Sequence, residues 1–113
     1  MTWAFEKIQI APEIQADEQT NRRVHEATRL LQSVVGKAAR RLRVAWTAVE
    51  KDQMQLTLTD STGEVSATFP VEDLIVGFRL RQQLSGLWND LLDIRIEIQM
   101  DRIEHPDDEV AVS

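Results

Sequence analysis

The chain has no cysteine among its 113 residues. That excludes a disulfide framework, a thiol nucleophile and a cysteine metal site, and it suits a reducing compartment. Glycine is scarce: Gly36, Gly63, Gly77 and Gly86 stand singly, so neither a phosphate-cradling loop nor a dinucleotide glycine pattern can be built. Long apolar runs are missing too. The longest patch, "LIVGF" at 74–78, falls far short of the roughly 20 residues of a bilayer span. The opening "MTWAFEKIQIAPE" lacks the basic flank and apolar stretch of a secretory signal. These absences lead us to expect a soluble, cytoplasmic protein with no membrane partner.

Catalytic chemistry is equally thin. There are two histidines, His25 and His105, and no G-x-S-x-G elbow. His25 reads as a helix-surface residue. His105 gathers Asp107, Asp108 and Glu109 around it, but a terminal acidic stretch lacks the preorganisation that a metal site requires. Glu72 and Asp73 suit the start of a helix better than acid–base work. The sequence predicts no cofactor, no metal site and no enzyme; a site built from carboxylates alone is left open.

The length fits one domain, and a chain of this size buries roughly two-thirds of its unfolded surface. Hydrophobic residues make up 42% and charged residues 28%, the balance of a globular protein. The expected extent is a single domain over 1–103, followed by a mobile acidic tail over 104–113.

Periodicity supplies the elements. "FEKIQI" alternates like a short strand, and Pro12 ends it or opens a helix. From Asp17, a natural N-cap, Val24, Ala27, Leu31, Val34, Val35, Ala38 and Leu42 keep the three-and-four spacing of one helix face. Gly36 can act as a stop, but the stripe continues past it, so the helix is expected to reach about residue 40. Three period-two runs follow: Leu42, Val44, Trp46 and Ala48; then Met54, Leu56 and Leu58; then Val65, Ala67 and Phe69. "DSTG" at 60–63 is a turn between the last two. A second helix is expected from about Glu72 to Leu92, and "DIRIEIQM" at 93–100 alternates like a final strand. The fold class is therefore α+β: a two-layer domain with a mostly antiparallel sheet and two helices on one face, in the order (β)-α-β-β-β-α-β.

The net charge is −6, yet residues 22–43 hold seven of the 13 basic residues and one of the 19 acidic ones, +6 against −12 for the rest. On a helical wheel Arg22, Arg29, Lys37 and Arg40 fall opposite the apolar stripe. An amphipathic helix must place charge outside, but a mixed-sign face serves that need equally well. The four are candidates for an anion-facing ridge, which can meet RNA, DNA, an acidic protein surface or the acidic part of a second copy. In the second helix the apolar residues span an arc wider than one sheet needs. Leu80, Leu87, Trp88 and Leu91 are the candidates for an apolar interface there.

The order of elements resembles that of ribosome hibernation factors, β-α-β-β-β-α, and of double-stranded RNA-binding domains, α-β-β-β-α. The second helix starts "PVEDLIVGF", where RNA-binding domains carry a Lys-rich start, and the strand expected after it departs from both. The resemblance covers element order alone and transfers no residue role. The reading is a small non-catalytic protein–protein interaction module that associates with another protein or forms a homodimer. The alternative is an RNA- or ribosome-associated module that binds phosphates through the basic face of helix 1.

Overall fold

The structure, a computed structural model, describes residues 4–50 and 52–104. Its strands are β1 (Lys7–Ile10), β2 (Arg43–Glu50), β3 (Gln53–Thr59) and β4 (Glu64–Pro70); its helices are α1 (Pro12–Ala16), α2 (Glu18–Val35) and α3 (Phe78–Glu104). The four strands form one sheet in the order β1-β2-β3-β4. The three inner period-two patterns come into register: Val44 opposite Leu58 opposite Val65, Trp46 opposite Leu56 opposite Ala67, and Ala48 opposite Met54 opposite Phe69. β1 extends the first two rows with Ile8 and Ile10. Because side chains alternate across a strand, the other face carries Gln9, Ala45, Thr57 and Ser66 in one row and Thr47, Gln55 and Thr68 in the next. That face is polar and open to solvent.

Pro12 opens α1, where its fixed φ suits the first helical position. Asp17 caps α2 by accepting the backbone N–H groups of Gln19 at 3.1 Å and Thr20 at 3.4 Å. Hydrogen bonds from the Thr20 backbone and side chain hold the Asp17 carboxyl below its ordinary value of 3.8. α2 buries Val24, Ala27, Leu31 and Val35 on the sheet, and α3 buries Leu80, Leu84, Leu87 and Leu91 beside them. β1 and β2 are parallel, so α2 runs against both. α3 leaves the far end of β4 and returns to bring Ile94 beside Gly63, just before β4 begins. Both long helices thus run in one direction, opposite to β1, β2 and β4.

The two-layer α+β fold agrees with the sequence pattern, with four departures. The sheet is mixed rather than mostly antiparallel, since β1 pairs in parallel with β2. The first long helix stops at Val35, not near residue 40: Gly36 takes φ 61° and ψ −132°, a conformation that side chains disfavour. Residues Gly36–Arg41 then form a 3₁₀ turn, which keeps Ala39 and Leu42 buried without continuing the helix. The last helix begins at Phe78, after a short 3₁₀ turn at Val71–Asp73, and not at Glu72.

The fourth departure is the largest. Residues 93–100 are not a strand; they continue α3 to Glu104. A strand requires an edge beside it, whereas a helix satisfies its own backbone. Elongating an existing helix is also far easier than starting a new element. After Gly86 no glycine or proline interrupts the sequence until Pro106. Glu104 is the last described residue, and the acidic stretch 105–113, with its histidine and carboxylates, lies outside the described residues.

Candidate interaction surfaces

Arg22 and Arg29 are exposed on the outer side of α2, as the wheel places them. Lys37 and Arg40 are exposed as well, but they stand on the 3₁₀ turn rather than on the helix. The ridge therefore bends inward after Val35, held by two hydrogen bonds from the Glu6 N–H, to the Ala39 carbonyl at 3.2 Å and the Leu42 carbonyl at 3.0 Å. Arg22 lies 3.9 Å from Glu18, one helical turn away, with both side chains largely exposed. Such a pair contributes little. Lys37, Arg40 and Arg41 follow the C-terminus of α2, where positive charge complements the helix dipole.

A further cation joins this face from α3. Arg81 donates to the Ser33 hydroxyl at 3.4 Å, and Ser33 lies four residues from both Arg29 and Lys37 in the sequence. A wheel drawn for one helix cannot show this, because the contribution comes from its neighbour. Arg23 has a different role. Its guanidinium donates to the Val71 carbonyl at 3.0 Å and ties α2 to the segment after β4.

The apolar candidates divide. Leu80, Leu87 and Leu91 are buried against the chain's own sheet at 2%, 5% and 0% exposure, so they offer nothing to a partner. Trp88 is partly buried and packs on the core. The wheel overestimated the free arc because it placed the segment before Phe78 on the helix. Instead, that segment is a link: Ile75 at 62% and Val76 at 52% exposure lie on it, and Phe78 at 76% follows as the first residue of α3, a cluster more exposed than the scattered Ile8, Val49 and Ile96. The link is anchored on both sides. The Val71 N–H bonds the Asp52 carbonyl at 2.9 Å, Leu74 is fully buried, and the Arg81 N–H bonds the Gly77 carbonyl at 3.0 Å. The "LIVGF" run was the signal in the sequence: five residues with no polar partner face cannot all point inward.

At the same end of the molecule α1, the start of α2 and the β2–β3 hairpin enclose a depression of about 300 Å³. Ile14 and Met54 lie beneath it, and Glu13, Asp17 and Glu50 are among its lining residues. Among the described residues, no three His, Asp or Glu side chains stand together as metal ligands, and no helix is long and apolar enough to cross a membrane. Comparison with protein families, curated proteins and solved structures finds no match.

Proposed function

We propose that the protein is a small, non-catalytic, cytoplasmic interaction module that associates with a second copy of itself. The observation that carries this reading is the anchored apolar link. Ile75, Val76 and Phe78 are more than half exposed, yet hydrogen bonds and the buried Leu74 hold the segment in place. Large apolar side chains on a held segment are surface that a protein contact can cover without ordering a loop first. Analytical ultracentrifugation over a wide concentration range tests it. The wild type is expected to self-associate reversibly, and Phe78→Glu to weaken association by roughly tenfold or more. A monomer at every concentration removes the reading.

The basic face supports a second reading, an RNA- or ribosome-associated module. Arg22, Arg29, Lys37 and Arg40 are all exposed, and Arg81 adds to them through Ser33. With no final strand, the element order also coincides, apart from α1, with the order given above for ribosome hibernation factors. On this reading labelled structured RNA binds at low salt, affinity falls as salt rises, and the Arg22/Arg29/Arg40 triple glutamate variant abolishes binding. Fluorescence anisotropy decides between the two.

A further inference from the structure

The sheet has two outer edges, and they differ. β1 is four residues long, starts at Lys7 and runs directly into α1. Short, lysine-bearing edges resist pairing. β4 is seven residues long, carries no lysine or arginine, and keeps an unbroken register with β3 from Glu64 to Pro70. Its outer edge pairs with no described strand. Val65 and Ala67, on its inner face, are only partly buried.

The β4 sequence, EVSATFP, is complementary to itself when reversed about Ala67. In an antiparallel pair of two copies, Ser66 stands opposite Thr68 on the polar face and Val65 opposite Phe69 on the apolar face. Glu64 then meets Pro70, so no like charges oppose one another. All seven residues overlap; the Val65–Phe69 and Ser66–Thr68 pairs are of kinds that adjacent strands favour, and Pro70, which has no N–H to give, ends the ladder on either side.

α3 repeats the same symmetry. Arg81 reaches α2, and on the flank turned away from it Arg79, Gln83, Gly86, Asp90 and Asp93 follow at three-and-four spacing, all exposed. Ile94 is level with Gly63. Ala67 lies about 13 Å further along β4 at roughly 3.3 Å per residue. The same rise on a helix takes about nine residues, which brings Ser85 and Gly86 level with Ala67. A two-fold axis through Ala67 thus crosses α3 near Gly86. Arg79 of one copy then faces Asp93 of the other, and Gln83 faces Asp90. A Cβ at Gly86 meets nothing within 4 Å, so the chain's own packing does not require a small residue there; two helices crossing closely do.

From these two features we infer that a second copy of this chain docks antiparallel on β4 and the adjoining flank of α3, giving one continuous eight-stranded sheet. This inference rests on the self-association reading and assigns its surface. The two-fold also sets Pro70 of one copy beside Glu64 of the other, so the Ile75–Phe78 link lies next to the second copy's Gly63 turn and Ile94. The interface is isologous, as closed dimers require.

The absence of cysteine makes the register directly testable. Residue 67 faces its own symmetry mate, with Cα atoms about 4.5–5.5 Å apart, inside the range for a disulfide. Ala67→Cys is expected to oxidise to a covalent dimer under conditions in which Thr57→Cys, one strand inward, stays monomeric. Ser66→Lys with Thr68→Lys sets like charges opposite each other twice and is expected to weaken the dimer by roughly tenfold or more. Ser66→Lys with Thr68→Glu sets opposite charges there and is expected to retain it. Should Ala67→Cys fail to fold, the two charged variants decide by sedimentation alone. A wild-type dimer that survives the double lysine variant and is not trapped at residue 67 overturns this surface but leaves self-association standing. A monomeric wild type overturns both.

Discussion

Trp46 is among the largest of the fully buried side chains, and its indole N–H needs an acceptor inside the core. Thr28 supplies it. The indole donates to the Thr28 hydroxyl at 2.9 Å, and that hydroxyl donates in turn to the Val24 carbonyl at 2.7 Å. One side chain thus satisfies the tryptophan and fixes where α2 lies on the sheet. Thr28→Val preserves shape but leaves the indole N–H unpaired. It is expected to lower stability by about 1–3 kcal/mol, measured by urea unfolding, while Thr28→Ser keeps the acceptor and costs less. Phe69 lies 6.3 Å from Trp46 between ring centroids at a tilt of 48°, which secures the indole from the side of β4. Asp60 serves the β3–β4 turn in the same local way. Its carboxylate accepts from the Thr62 N–H at 2.7 Å and the Gly63 N–H at 3.2 Å, so the turn residues seen in the sequence act through side chain as well as backbone.

At the scale of elements, Gly36 decides where α2 ends. Its φ of 61° belongs to glycine, and an added Cβ meets nothing within 4 Å. The cost of Gly36→Ala is therefore backbone strain without a clash. Thermal unfolding is expected to show a loss of about 1–3 kcal/mol with the fold retained. The three meander strands were legible because one face is buried and the other wet, so their alternation has a single physical cause. The Asp17 cap was legible because its bonds are local. The end of α2 was not, since the stripe of Ala39 and Leu42 stays buried through the 3₁₀ turn and looks helical on a wheel. Nor was the far half of α3. Ile94, Ile96 and Ile98 alternate with Arg95 and Glu97, a pattern that period alone reads as strand. Period alone does not decide between the two: these residues follow an already formed helix without a break and extend it, which is a property of the whole element.

At the scale of the molecule, the sequence showed how much apolar surface the last helix carries but not which part its own sheet covers. Leu80, Leu87 and Leu91 went to the core, and the exposed apolar cluster turned out to be Ile75 and Val76 in the link with Phe78 at the start of the helix. The basic ridge was legible in direction on α2, while its bend at Gly36 and the addition of Arg81 came only with packing. The charge division takes on a spatial meaning as well. Acidic Asp17 and Glu18 stand where α2 starts, and Lys37, Arg40 and Arg41 follow its end, so the side-chain charges oppose the helix dipole at each pole.

The parallel strand β1 has one more consequence, for the order in which the chain assembles. β2, β3 and β4 are contiguous and joined by short turns, so their pairing closes small loops early. β1 can add only after the whole segment between Ile10 and Arg43 has formed and crossed the sheet, because Lys7 must find Arg43. Such non-local pairings form late. Short edge strands of this kind are also where local opening begins in proteins generally, and the edge that β1 covers is that of β2.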